Sequence, residues 1–291
     1  MTCSRKRRGA WRSCRRRPAD RRAPVQPERL LALLALLVLT SACGTLPDGH
    51  GWGEDATAAP GWQRVRESAW QAARNPRVWA PLAAAALLQV DDWDRDIADW
   101  AREETPLFGS VHDAARWSDR LRTASVIAFH ASALATPSGA TAGEWFPNKL
   151  RGYAVDASAI VATTGLTQFL KRAAGRERPN GADDESFPSG HTAVAAVHSR
   201  LAALNLRHID MRPGARRALG LGLDAMTIGT SWARVEAGWH YPSDTLVSAS
   251  LGAFFAEFSD AAFLGAGREP VARVSFGLLP GGGSLQLAWQ F

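Results

Sequence analysis

Residues 188–206 read PSGHTAVAAVHSRLAALNL, and the spacing within them decides the fold class. Val194, Val197, Leu201 and Leu204 recur at steps of three and four, which lines them along one face of a helix. Ser189 precedes the run as an N-cap, because its hydroxyl oxygen can accept from the unpaired N–H groups of the first turn. That turn also carries roughly half a positive charge, so an anion binds there readily. Gly190 lets backbone approach such an anion with no side chain in the way, and His191 stands at the rim.

The helical period continues on both sides of this run. Val65, Trp70 and Ala73 precede a largely apolar stretch from Val78 to Val90, and Trp93, Ile97 and Trp100 alternate with carboxylates over 91–104. Further helical stretches cover 116–136, 153–171, 218–231 and 243–258, with a loop at 137–143. We expect an all-α bundle of about six core helices over residues 63–265. No interior helix offers about 18 consecutive strongly apolar residues, so the helices are expected to bury one another and not face lipid. The last residues change period: Val274, Phe276 and Leu278 alternate, Pro280 to Gly283 supply a turn, and Leu285, Leu287, Trp289 and Phe291 alternate again. This predicts a C-terminal β-hairpin over 271–291, capping the helices or touching a membrane; one hairpin cannot span a bilayer with its edges unpaired.

Charge is distributed unevenly. Residues 1–29 hold eleven Lys or Arg against Asp20 and Glu28, a net of +9, which leaves −3 for the rest of a chain whose total is +6. The basic run therefore does not support nucleic-acid binding, because it precedes the apolar run Leu30 to Ala42 in the manner of a removable secretory leader. The segment Leu39-Thr40-Ser41-Ala42-Cys43 resembles the bacterial lipoprotein processing site, in which the cysteine is acylated and becomes the first mature residue. Residues 1–42 are expected to be the leader, Cys43 the lipidated residue, and 43–62, rich in Gly, Pro, Asp and Ala, a flexible tether. With Cys3 and Cys14 removed, Cys43 has no partner for an internal disulfide. The expected location is the bacterial cell envelope: periplasmic, anchored by lipid, with the outer membrane as the anchoring surface.

Two further blocks complete the chemistry begun at Pro188. Lys171 is followed after six residues by Arg178 and Pro179, and Arg234 is followed after five by His240 and after three more by Asp244. Pro242 and Ser243 look like a helix start, so Asp244 falls in a first turn. There its carboxylate can accept from one imidazole nitrogen of His240 and leave the other free to attack. Lys171, Arg178 and Arg234 supply fixed positive charge for the equatorial oxygens of a phosphoryl group, each well-placed donor being worth about 3 kcal/mol. This inventory fits phosphoryl transfer to a nucleophile without a metal or other cofactor. Each piece alone is weak: Pro137-Ser138-Gly139 is a similar turn with no histidine after it. His50, His112, His130, His198 and His208 match no block and are expected to be structural or superficial. Glu236 and Trp239 lie inside the third block without an assigned part.

Taken together, the blocks KxxxxxxRP, PSGH and RxxxxxHxxxD, in this order over about residues 150–260, resemble the type 2 phosphatidic acid phosphatase superfamily. The chain departs from that pattern at Ala233, where a serine precedes the arginine. The resemblance implies a helical bundle like that of the vanadium haloperoxidases. It implies His240 as nucleophile forming a phosphohistidine, Asp244 orienting it, and His191 protonating the leaving oxygen and then activating water. Phosphate would be held by Lys171, Arg178 and Arg234 with Ser189 and the Gly190 N–H. The expected activity is hydrolysis of phosphomonoesters or pyrophosphates, on a soluble ester or a lipid phosphate. The alternatives are a vanadium-dependent haloperoxidase, since vanadate imitates the phosphate transition state, and a non-catalytic envelope lipoprotein.

Overall fold

The computed structural model describes backbone and side chains over residues 44–46 and 49–265. The leader expected at 1–42, Cys43 and the hairpin expected at 271–291 lie outside these residues. Within them the fold is helical, and of the expected hairpin the backbone alone is described, as antiparallel strands Ala272–Leu279 and Gly282–Trp289. Among the described residues eight α-helices follow one another where about six were expected: α1 Trp62–Arg74, α2 Pro76–Leu87, α3 Trp93–Glu104, α4 Val111–Ala135, α5 Ala142–Ala174, α6 Gly190–Asn205, α7 Pro213–Glu236 and α8 Pro242–Ser259.

The extra boundaries have local causes. Asn75 separates α1 from α2, because its side chain accepts from Arg77 N at 2.9 Å while Pro76 opens the new helix. Ser110 starts α4 five residues ahead of the expected 116, accepting from Asp113 N at 3.0 Å. A reciprocal Thr141 and Glu144 capping box starts α5 at Ala142, well before Tyr153, and Pro147 lies within the helix. In α3 the apolar period is real but the buried face is Asp94, Ala98 and Ala101, while Trp93 and Trp100 stay about half exposed, at 51% and 50%.

Helix α6 is the centre of the bundle, packed by α4, α5, α7 and α8. Its approach to α8 depends on Gly252, where a Cβ would fall 2.7 Å from the Ala196 Cβ and 2.7 Å from the Val197 nitrogen. Part of the stretch expected as a tether is packed on this body. Trp52 is 2% exposed, donates its backbone N–H to Pro137 O at 2.8 Å, and lies against Gly152, where a Cβ would come 2.4 Å from the indole. Thr57 N donates to Phe263 O at 2.9 Å. Burial of one large aromatic is worth about 2 kcal/mol, enough to hold a short Gly-rich strand. Among the described residues one helix, α8 with its π-helical extension to Leu264, is long and apolar enough to cross a membrane, and half of its most apolar window is buried inside the bundle. It reaches that standard on average and not as 18 consecutive strongly apolar residues, because Ser248, Ser250, Glu257 and Asp260 interrupt it.

Candidate active site

The three blocks meet because each sits where a helix begins or ends. Lys171 lies in the last turn of α5, which stops at Gly175 in the left-handed conformation (φ 52°) and sends the chain into the segment carrying Arg178. Ser189 caps α6, accepting from Thr192 N at 3.5 Å, and its own N–H points to Asp244 O at 3.4 Å. Among the described residues, apart from its chain neighbours and its own helix backbone, no atom lies within 4 Å of where a Gly190 Cβ would sit. Arg234 occupies the last turn of α7, and His240 and Asp244 flank the start of α8.

His240 is buried and lies within Coulombic reach of Arg234, Lys171 and Arg178. Burial and then those cations hold its pKa well below the ordinary histidine value, so the ring is neutral at neutral pH. Its Nδ1 lies 2.5 Å from Ser186 O. A carbonyl can only accept, so the proton sits on Nδ1 and the Nε2 lone pair is free. The direct bond expected from Asp244 is not formed: its Oδ2 is 3.9 Å from His240 Nδ1. Asp244 acts one residue removed, accepting from the Ser186 hydroxyl at 2.5 Å and from Tyr241 N at 2.8 Å. Burial raises its pKa, and Arg176, Ser186 and Tyr241 oppose that rise.

The cations crowd one another. Burial and then the Arg178 charge lower Lys171, and the same causes bring Arg234 down to about 10. The Arg234 Nε is buried without a hydrogen-bond partner among the described residues. Trp239 lies against the guanidinium groups of Arg178 and Arg234, at 4.8 and 5.1 Å from its ring, which gives that residue a place in the site wall. Glu236 has a different part: it accepts from the backbone N–H groups of Leu107 and Phe108 and from the Trp232 indole, tying the α3–α4 turn to α7. The acidic loop after Pro179 also touches the cations, with Asp183 2.7 Å from Arg178 Nε and the Glu185 carbonyl accepting from Lys171 Nζ.

His191 lies at the mouth of the site, with Nε2 2.9 Å from Asp119 Oδ1 on α4. Burial and Arg234 lower its pKa, and Asp119 opposes them. Asp119 and Arg176 are the site residues that sequence reasoning missed. Asp119 sits one turn from Arg122, 3.5 Å away, and reads as an ordinary solvated pair. The five other histidines lie outside this cluster; His198, for one, bonds Val194 O at 2.8 Å within α6. Among the described residues no group of three or more His, Cys, Asp or Glu is placed to hold a metal ion.

Residues 153–259 match the PAP2 superfamily. A lipid A 1-phosphatase of Rhizobium johnstonii is 33% identical over 112 residues, covering 33% of this chain and 41% of the relative. A lipid A 1-phosphatase of Rhizobium etli is 32% identical over 112 residues, covering 33% of this chain and 44% of the relative. The chain thus spans less than half the length of these relatives. Among solved structures, the transmembrane PAP2 type phosphatidylglycerolphosphate phosphatase of Bacillus subtilis aligns with 63% of this chain and 92% of its own, at TM-score 0.48 and 19% identity. The residues that match the PAP2 superfamily, 153–259, contain all three blocks, which meet near the N-terminus of α6.

Proposed function

We propose that this protein is a lipid phosphate phosphatase that works through a phosphohistidine on His240. The observation that carries the reading is a buried neutral imidazole, Nδ1 tied to a carbonyl, facing Lys171, Arg178 and Arg234. The phosphate of the substrate is held by those cations and by the Gly190 N–H at the positive end of α6. The His240 Nε2 lone pair forms a bond to phosphorus as the bond from phosphorus to the ester oxygen breaks, and His191 delivers its proton to that oxygen. The imidazolium so formed keeps its Nδ1–H on Ser186 O, with the Asp244 charge nearby. Neutral His191 then takes a proton from water as the water oxygen attacks phosphorus. The Nε2–P bond breaks as that oxygen bonds, phosphate leaves, and His240 returns to its neutral form.

A lipid substrate is favoured over a soluble ester by the names of the relatives and by the outer surface. Trp62, Trp70, Trp79, Trp93, Trp100 and Trp117, spread over α1 to α4, are all exposed, from 77% at Trp62 to 42% at Trp117. Tryptophan gathers where an apolar surface meets headgroups. An acylated Cys43, a periplasmic face of the envelope and a membrane-touching hairpin over 271–291 belong to the same proposal. A phosphate-release panel tests it: lipid phosphates in mixed micelles should be hydrolysed at least tenfold faster, in kcat/KM, than soluble esters such as p-nitrophenyl phosphate. EDTA should leave the rate unchanged. A preference for the soluble ester would remove the lipid reading, and no release from any phosphate ester would remove the phosphatase reading.

A further inference from the structure

Arg176 stands between the first block's Lys171 and Arg178, yet its side chain turns away from both toward the start of α8. Its Nη1 lies 2.6 Å from Asp244 Oδ1 and 3.0 Å from Ser243 Oγ, and its Nη2 lies 2.8 Å from Asp94 Oδ2. The plane of the guanidinium lies over the Tyr241 ring at 4.0 Å. Asp94 is almost fully buried on α3, outside the matched PAP2 residues, and it accepts from Ser243 N at 2.8 Å through Oδ1 and from the Ser243 hydroxyl through Oδ2. One planar fork thus joins a carboxylate from the N-terminal helices to the carboxylate beside the nucleophile. Lysine, with a single nitrogen, cannot make both contacts at this geometry.

We propose that Arg176 and Asp94 are positioning residues for the reaction: Asp94 fixes Arg176, Arg176 fixes Asp244, and Asp244 fixes Ser186, whose carbonyl holds His240. The chain of contacts is continuous: Asp94 to Arg176, Arg176 to Asp244, Asp244 to the Ser186 hydroxyl, and Ser186 O to His240 Nδ1. It gives α3 a part in catalysis although α3 supplies nothing that touches phosphate. The inference rests on the phosphatase reading, since it assigns Arg176 to the step in which His240 gains positive charge. Without Arg176 a buried carboxylate would face the forming imidazolium with fewer fixed donors and would be free to rotate, and a small misplacement of a nucleophile is expensive.

The test compares Arg176→Ala, Arg176→Lys and Asp94→Asn with the full-length parent. Arg176→Ala should lower kcat by about 10- to 100-fold while KM and the inhibition constant for orthovanadate stay within about threefold, because Lys171, Arg178 and Arg234 remain. Arg176→Lys should recover little of that loss. Added guanidinium should raise kcat of Arg176→Ala several-fold, and an equal concentration of urea should not. A route for it exists, because a cavity of about 300 Å³ lined by Leu88, Gln89, Asp92, Asp94 and Arg95 opens onto Arg176. Asp94→Asn, close to isosteric, should lower kcat about 3- to 10-fold with unchanged KM. A folded Arg176→Ala with kcat within threefold of the parent overturns the proposal, as does a folded variant that guanidinium does not rescue. Where Arg176→Ala does not fold, Asp94→Asn decides by the same kcat criterion. Inactivity of the parent itself strikes the phosphatase reading, and an active parent with unaffected variants strikes this proposal alone.

Discussion

The two histidines of the pocket have opposite settings. His240 is sealed at the floor, its Nδ1 on a backbone carbonyl and Asp244 held at 3.9 Å, whereas His191 stands at the mouth with Nε2 directly on the exposed Asp119 at 2.9 Å. Both are pushed toward the neutral form, chiefly by burial and then by Arg234. The difference fits the division of labour proposed for them. A nucleophile needs a lone pair, a fixed tautomer and no water, while a group that gives and takes protons needs a route to solvent and a partner that tolerates its charge. The contacts made to His240 itself lie inside the PAP2-matching residues, braced by Asp94 of α3 from outside them; the mouth takes a carboxylate directly from α4, also outside them.

The sharpest way to break this division is to remove the floor. His240→Ala should reduce turnover by at least about 1,000-fold with the helical fold retained, since it removes the nucleophile of the proposed covalent intermediate. Circular dichroism with phosphate release checks both halves of that statement. His191→Ala should be milder, about 100- to 1,000-fold on a lipid phosphate, and milder still on p-nitrophenyl phosphate, whose leaving group needs no proton. Equal losses on the two substrates would deny His191 the part of leaving-group acid.

Ser186→Ala probes the link between the floor and its carboxylate. The Ser186 carbonyl stays, but Asp244 Oδ2 loses a hydroxyl donor at 2.5 Å and keeps the Tyr241 N–H. A loss of about 10-fold in kcat with little change in KM is expected, which single-turnover kinetics would register.

The readability of this molecule from its sequence divides along the same line. The helices and the three blocks were legible because each rests on a local signal: a 3.6-residue period, a capping serine before Gly190, a proline that opens α8. What failed needed tertiary information. The carboxylates in α3 read as one solvated face, yet Asp94 is buried, because Arg176, 82 positions later, neutralises it. Asp244 sits four residues after His240, a spacing that suggests direct contact, but the Ser186 carbonyl arrives from another segment and takes Nδ1 first. Trp52 read as part of a loose tether because nothing nearby in sequence announces Gly152 as its seat.

The smallest predicted effect is also the one that isolates the mouth from the floor. His191 is faced by Arg234 and Arg122, which lower its pKa, and by Asp119, which raises it. Asp119→Asn leaves the two cations unopposed, so His191 should lose its proton at a lower pH. Catalysis that needs protonated His191 is fully present below that pKa and is lost as pH rises through it, so the alkaline limb of kcat/KM should move toward acid. On that limb the variant should run roughly two- to fivefold below the parent, because the removed charge is largely exposed and screened. The acid limb reports protonation of His240, on which Asp119 has no resolved influence, and it should stay in place. A pH–rate profile in which both limbs move together would mean that the two histidines titrate as one coupled unit, and the separation of floor from mouth would fall.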